Sequence, residues 1–378
     1  MRLLIDILHP AHVHVFRNLA QELTALGHQV RFTLREKECA RELLDRYGLA
    51  YEVLSTQQSG GAGLAWEFLT RTTRLWRVAA GFRPHFLTGV MGPSIAVVGR
   101  LRRLRGDPVR TAIFYDTEMA KITNWFAYPL ADYVCTPDCY QGRVRGHHVR
   151  YAGYHELAYL HPRRFTPDPA VVRAAGVDPA QRYFIVRFVS YAASHDLGTA
   201  GLTHRRKVEL VRLLAARGRV LITSEAPLVP ELEPYRLSIS AAAMHHLLAY
   251  ASLLVGESAT MASECAVLGV PAVYISPVGR GYTDEEESRY GLVFNFTAHR
   301  FADDWLGRVA ELVDDLDLPA RARVARARLL ADKIDTTSWM IDFFEQEYRR
   351  HFVPAGQREG EPRRRGTESA SGLRSEPQ

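Results

Sequence analysis

Apolar runs of strand length alternate with segments of helical period from the first residue onward, and the series then starts afresh in the second half. Such alternation is the pattern of βα units closing on a parallel sheet. In the first half the spacing predicts strands at 2–8, 29–34, 50–54, 85–90, 111–115 and 132–136. A helix is predicted over 15–26, where Phe16, Leu19, Leu23 and Leu26 recur at helical spacing. The second series runs YFIVRFV, RRKVELVRLLAARG, RVLITS, AMHHLLAYA, SLLVG, ATMASECAVLG and VPAVYIS. Between the two lie Pro162, Pro167, Pro169 and Pro179 amid polar residues, the composition of a connection. The expected fold is therefore α/β, with two doubly wound domains at 1–154 and 181–335, a linker at 155–180 and a purely helical pattern after 298. Residues 336–353 form a last helix expected to pack back on the first domain, and 354–378 a tail too poor in apolar side chains to order. Open α/β sheets bind ligands outside the carboxyl ends of their strands, so the site is expected in a cleft faced by both sheets.

Composition narrows the class further. An apolar fraction of 47% with 24% charged residues belongs to a folded globular chain rather than a collagen-like or disordered one. The net charge of +6 permits an anionic partner without naming one. Its excess sits in Arg100, Arg102, Arg103, Arg105 and Arg110, and in Arg363, Arg364 and Arg365, which read either as a basic stripe or as a solvated face. Cys39, Cys135, Cys139 and Cys265 make no disulfide framework and point to a reducing, cytoplasmic compartment. Asp6 interrupts the apolar start, which reads as a buried strand rather than a signal peptide. No run approaches the ~20 apolar residues of a membrane span, so any membrane contact is expected to be peripheral, at the inner face.

The most informative stretch is LLVGESATMASECAVLGVPAVYIS, residues 253–276, a strand, a turn of small residues, a helix and a second strand. Gly256, Ser258 and Ala259 are expected to let backbone approach a ligand where free N–H groups and the helix dipole favour phosphate. Glu257 lies in the same turn. Thr260 and Glu264 border the buried stripe of Met261, Cys265 and Leu268, and a carboxylate placed there can accept from vicinal ribose or sugar hydroxyls. The alternative is that Ser258 caps the helix and Glu264 lies on the surface.

These residues resemble the GT-B glycosyltransferases and sugar-nucleotide enzymes, above all the bacterial enzyme that adds N-acetylglucosamine to the lipid-linked peptidoglycan precursor. The resemblance implies two Rossmann-like domains, a donor pyrophosphate held at Ser258, Ala259 and Thr260, and a nucleotide ribose bound by Glu264. HVFRNLAQEL from His14 and EMAKITNWFAYPLAD at 118–132 are similar to two further stretches of that enzyme. Residues 1–350 as a whole resemble a group of archaeal and bacterial proteins classed as predicted glycosyltransferases, through DILHPAHVHVF, YDTEMAKITN, ASHDLGTAGL and GESATMASE. It implies an acceptor domain first and a donor domain second, with no cofactor and no metal. Where the peptidoglycan enzyme has a glycine-rich loop this chain has His9, Pro10 and Ala11, which puts its acceptor in doubt.

Other candidates lie at strand ends. His9, His12 and His14 are read in the first loop as ligand contacts, with His14 able to take a proton from an attacking hydroxyl. Their spacing also invites a metal reading, which the resemblance disfavours. Asp116 and Glu118 follow a strand and suit acid–base work, or cap the next helix; Asn124 is an acceptor contact by resemblance. Arg187, inside a strand, should reach a phosphate or a carboxylate. Ser190, Ser194 and His195 form a donor-side loop, and Ser224 with Glu225 sits at a comparable strand end. Arg280 and Tyr282 precede the acids Asp284, Glu285, Glu286 and Glu287, which read as a solvated helix start, while similar enzymes touch the donor sugar here.

Three functions are compatible with this reading. The first is a metal-independent glycosyltransferase using a UDP-linked sugar and an unidentified acceptor. The second is a UDP-sugar 2-epimerase, which the chain resembles at Glu118 and LADYVCTP, although the family's additional Glu pair is absent from ITNWFAYPLAD. The third is a binding protein without turnover, on an anionic membrane through GLAWEFLTRTTRLWRVAAGF at 63–82, whose Trp66, Phe68, Leu69, Leu75 and Trp76 serve equally for core packing. No recognised RNA-binding motif is present, so nucleic acid is not expected as a partner.

Overall fold

A computed structural model describes residues 1–58, 60–118, 121–190 and 201–354. The chain divides into two compact units, one formed by Met1–Tyr159 with the stretch from Ile334 onward, the other by Leu160–Lys333.

In the first unit the described strands are β1 (Arg2–Ile7), β2 (Gln29–Glu36), β3 (Tyr51–Thr56), β4 (Phe86–Val90), β5 (Arg110–Phe114), β6 (Tyr133–Pro137) and β7 (His148–Tyr151). They pair in the order β3-β2-β1-β4-β5-β6-β7, parallel throughout. Helices lie in the crossovers between successive strands from β1 to β6, and Leu3, Leu4, Ile5 and Ile7 are all buried. The strand order reverses between β1 and β4.

Helix Pro10–Ala25 starts five residues earlier than its apolar period indicates, because Pro10 fits the first helical position and the His9 ring accepts from Ala11 N at 3.2 Å as the cap. Helix Gly60–Phe82 is tied to the sheet by a buried polar network. Arg71 donates to Asp6 in β1 and to Ser55 Oγ at 3.1 Å, Thr33 Oγ1 donates to Asp6 at 2.6 Å, and Glu67 accepts from Arg35 at 2.6 and 2.8 Å. Asp6 thus sits in an apolar strand because a guanidinium compensates its burial. Helix Thr336–Phe352 packs on this unit, with Phe344 against Phe86 at 5.3 Å between ring centroids and Trp339 against Tyr151 at 4.7 Å. The Thr336 and Thr337 hydroxyls donate to Tyr154 O and Ala158 O, each at 2.7 Å.

Two readings of this unit need correction. The arginine stripe is not a free basic face: Arg102 pairs with Asp107 at 2.8 Å and lies over Trp76, while Arg103 and Arg110 both pair with Asp132. The 63–82 segment is divided by its helical period, since Leu75 enters the core while Trp66 and Leu69 are 68% and 59% exposed.

The second unit contains β8 (Tyr183–Phe188), β9 (Arg219–Ser224), β10 (Leu253–Gly256), β11 (Ala272–Ser276) and β12 (Val293–Thr297), paired in the order β12-β11-β10-β8-β9 and again parallel. Its core gathers Phe184, Val186, Val255, Val273, Leu210 and Leu214 from the sheet and the helix His204–Ala215. The order reverses between β8 and β10. The segment 155–180 contains helices Leu157–Leu160 and Pro169–Ala174. Residues 355–378, nearly all of the expected tail, lie outside the described residues. Among those described, no helix is long and apolar enough to cross a membrane.

Candidate functional site

In doubly wound sheets the point where strand order reverses leaves a crevice at the carboxyl ends, because the two flanking crossovers run to opposite faces. In the second unit this point lies between Phe188 and Gly256. Gly256 stands opposite Arg187 in the register, and a Cβ on Gly256 would lie 2.3 Å from Arg187 O. The close approach of β8 to β10 therefore requires a glycine at this position. Glu257 is also structural: its buried carboxylate accepts from Val189 N at 3.2 Å and Leu202 N at 2.6 Å, with Lys207 Nζ at 3.7 Å. Burial raises its pKa above the usual value, against the two amides and Lys207.

The next residues build a helix mouth. Ser258 is the N-cap of helix Ala259–Leu268 and accepts from Met261 N at 3.3 Å, so the capping alternative is the observed geometry. Ala259 and Thr260 supply the first-turn N–H groups, which no earlier helical carbonyl can satisfy. Gly269, at φ 81°, ends the helix in the left-handed conformation. Glu264 is not on the surface. It is buried, and its Oε1 lies 2.9 Å from His245 Nε2 on helix Met244–Tyr250.

Arg187 reaches the carboxylate of Glu225, at 2.5 Å, and Glu225 also accepts from Ser190 N and Oγ at 3.0 and 3.1 Å. Ser224 Oγ donates to Ala226 O at 2.8 Å. Ser194 and His195 lie outside the described residues. Arg280 stands at the start of helix Gly281–Glu285, its guanidinium donating to Gly279 O at 2.9 Å, and Tyr282 is buried. The acids that follow are not a solvated run. Glu286 is fully buried and accepts from Ser263 Oγ at 2.6 Å, Glu287 holds Asn295 and Arg300, and Glu285 pairs with Lys333 at 2.7 Å.

A second cluster gathers at the carboxyl edge of the first unit's sheet. Asp116 Oδ2 lies 2.9 Å from His155 Nδ1, and Asp116 Oδ1 accepts from Thr117 Oγ1 at 3.0 Å. Burial alone would lower the His155 pKa, yet the charge and hydrogen bond of Asp116 outweigh it and raise it. His12 behaves oppositely: burial first, then His9 and His155, hold its pKa well below the usual value in spite of Asp116. Glu118 Oε1 accepts from Gln141 N at 3.2 Å. Asn124 is buried and donates to Tyr140 Oη at 3.4 Å, and Tyr140 in turn meets Tyr128 Oη at 2.8 Å.

The three histidines of the first loop do not converge. His12 and His14 lie within the helix rather than before it, and two residues apart on a helix means nearly opposite faces. His12 accepts from Leu8 N at 3.3 Å, its ring 5.9 Å from that of His9. His14 is buried against Tyr159 and Tyr47, at 5.3 and 6.0 Å. His155, Tyr140 and His245 were not singled out from sequence, since each acquires meaning only through a partner brought close by the fold.

No family model and no curated protein matches the sequence. Solved structures do match over nearly the whole chain. A Listeria monocytogenes protein described as a UDP-N-acetylglucosamine 2-epimerase aligns at TM-score 0.67 and 11% identity, covering 93% of this chain and 98% of its own. Glycosyltransferase SsfS6 of Streptomyces sp. SF2575, in complex with thymidine diphosphate, aligns at 0.58 and 13% identity, covering 92% and 99%. MurG of Acinetobacter baumannii aligns at 0.54 and 15% identity, covering 91% and 99%. The fold is GT-B. At these identities the GT-B likeness speaks for architecture alone. The two sheets with their reversal points are the GT-B elements that position the clusters described above.

Proposed function

We propose that the chain is a glycosyltransferase that moves a sugar from a nucleotide-diphosphate donor, UDP-linked and without a metal, to an acceptor of unidentified structure. The observation that carries this reading is the capped helix mouth at Ser258, at the reversal point of the second sheet, with the Glu264 carboxylate inside the same helix. Amides and dipole at such a mouth favour a diphosphate and stabilise the charge that grows on it as it departs. A carboxylate only accepts hydrogen bonds, so its ligand partner must be a donor, for which the hydroxyls of a sugar nucleotide serve. In the transfer an acceptor hydroxyl oxygen forms a bond to the anomeric carbon, the bond from that carbon to the diphosphate oxygen breaks, and the hydroxyl proton passes to a base. In the first unit Asp116, oriented by His155 and Thr117, is a carboxylate able to accept a proton.

Calorimetric titration with UDP and UDP-sugars tests the reading. Binding by the wild-type chain and its loss in Glu264→Ala are expected; a folded protein that binds no sugar nucleotide refutes it. An epimerase is the second reading, favoured by the acid–base cluster of Asp116, His155 and Glu118, and a change at the second carbon of UDP-N-acetylglucosamine seen by NMR would select it. A peripheral contact with an anionic membrane would rest on exposed Trp66, Leu69, Leu104 and Trp125 more than on the paired arginines. Flotation with anionic vesicles should then weaken in Trp66→Glu, and an unchanged result excludes this face.

A further inference from the structure

Helix Thr336–Phe352 is attached to the first unit in two different ways along its length. Its first half is held by groups that do not titrate near neutral pH, the Thr336 and Thr337 hydroxyls and the rings of Trp339, Phe343 and Phe344. The last two turns meet the amino ends of the parallel strands, and there histidines take part at three points. His28 stands just before β2, His85 just before β4, and His351, on the helix itself, faces Arg110 and Tyr133 at the starts of β5 and β6. Each of the three accepts through one ring nitrogen from a group that can only donate. The Met1 ammonium donates to His28 Nδ1 at 3.0 Å, the Arg2 amide to His85 Nδ1 at 2.8 Å, and the Arg110 guanidinium to His351 Nδ1 at 3.4 Å. The same rings hold the helix. His28 Nε2 lies 3.6 Å from Glu345, His85 meets Tyr348 and Phe352 edge-on at 4.9 and 4.8 Å, and His351 Nε2 meets Tyr133 Oη at 2.8 Å and Glu347 at 3.2 Å.

We propose that His28, His85 and His351 form an acid-released clasp: when they take up protons, the last two turns of the helix lift from the amino edge of the sheet while its first half stays docked. Protonation puts a hydrogen where each donor now points. It also sets a new cation beside the Met1 ammonium at His28, beside the Arg110 guanidinium at His351 and near Arg2 at His85. The acids on the facing elements are already engaged: Glu345 with Arg349 at 3.5 Å, Glu347 with Arg350 at 3.6 Å, and Asp132 with Arg110 at 3.0 Å. Burial, the largest cause, lowers the pKa of all three rings. Arg2 and the amino terminus add to it at His85, which falls to about 4; the amino terminus does so at His28 against Glu345, and Arg110 and Arg350 at His351 against Glu347. The folded values lie below the ordinary 6.5, so the contribution of these contacts to docking is complete above 6.5 and is lost as pH falls from there through the folded pKa. Phe352, 5.5 Å from Phe86, leaves with the last turn and uncovers that end of β4.

The test is amide hydrogen exchange on the full chain between about pH 7.5 and pH 5, expressed as protection relative to the intrinsic rate at each pH, with thermal melts as the check on folding. His85 is only half-buried and solvent screens part of its shift, so protection over 348–352 should fall about tenfold on acidification while that over 340–344 holds. In the triple variant His28→Asn, His85→Asn, His351→Asn, an amide oxygen stands near the place of Nδ1, accepts from the same donors and does not titrate. The fall should then disappear. If the triple variant does not fold, His85→Asn alone serves and should remove the largest share of the fall. Unchanged wild-type protection over 348–352 overturns the proposal, as does an equal loss over the whole of 336–352, which is ordinary acid unfolding. A folded variant, triple or single, that keeps the full wild-type pH dependence also overturns it, because Glu345 and Glu347 would then be the groups that titrate.

Discussion

Glu257 lies in the middle of the GESAT turn, and its assignment decides how much of that turn belongs to a ligand. Its carboxylate accepts from the amides of Val189 and Leu202, which flank the Ser190–Gly201 segment, so Glu257→Ala leaves two N–H groups without their acceptor. Each such group costs about 1–3 kcal/mol when buried, and the lost attraction to half-buried Lys207 adds little, giving about 2–6 kcal/mol in all. Against a typical domain stability of about 5–15 kcal/mol this is a large fraction. Glu257→Gln keeps one carbonyl oxygen and should cost about 1–2 kcal/mol. The assay is urea unfolding combined with amide hydrogen exchange over Val189 and Leu202, where protection should fall first. There is a pH signature too. Burial raises the folded-state pKa of Glu257 above its ordinary 4.5, so the stability this group contributes is complete below that value and is lost as pH rises through the folded pKa. The deficit of the Gln variant relative to wild type should therefore be greatest near pH 4 and shrink toward neutrality. If Glu257→Ala unfolds within 1 kcal/mol of wild type while UDP affinity collapses, the carboxylate is a ligand contact and the bracing argument is wrong.

Other perturbations test neighbouring steps. Gly256→Ala sets a methyl group 2.3 Å from Arg187 O, and since backbone must yield, a loss of about 1–3 kcal/mol is expected in the urea midpoint; wild-type stability would show that β8 and β10 are not closely apposed there. Asp116→Asn removes the attraction that raises the His155 pKa above 6.5. The stability gained from that pair is complete below 6.5 and lost as pH rises through the folded pKa, so melting temperatures of the variant should vary less between pH 6 and pH 9 than those of wild type. Arg71→Met strands Asp6 without its cation and should cost about 3–5 kcal/mol, part of it recovered in a double variant with Asp6→Leu; a purely additive double variant would refute the coupling.

How far the sequence could be read depended on burial. Central strands such as RLLIDI and RVLITS announce themselves because helices cover both their faces. The two strands that sequence did not predict, β7 (HVRY) and β12 (VFNFT), are edges of their sheets, short and mixed in polarity, and so carry no continuous apolar run. The cap at Ser258 and the glycine after Leu268 were legible because helix termini have local residue preferences. Pairings were not. Glu264 looked like a surface or ligand-facing residue until His245, nineteen positions earlier, closed on it. Asp284 to Glu287 looked solvated until Ser263, Asn295 and Lys333 were found holding three of the four.

These differences separate two kinds of polar residue at the reversal point of the second sheet. Glu257 and Glu286 are held by groups that would be left buried and unsatisfied if the carboxylate turned to a ligand, so their bonds belong to the fold. Arg187 and Glu225 differ, because their pairing joins two side chains at the solvent-facing end of β8 and β9, each only partly buried. A diphosphate offers a guanidinium two or more anionic oxygens in place of the one carboxylate oxygen it now contacts, and a partly exposed ion pair is worth about 1 kcal/mol or less. Exchange of partners there is cheap, whereas exchange at Glu257 is not. If the proposed diphosphate binds at this edge, Arg187 is therefore the charged side chain expected to move onto it, leaving Glu225 anchored by the Ser190 amide and hydroxyl.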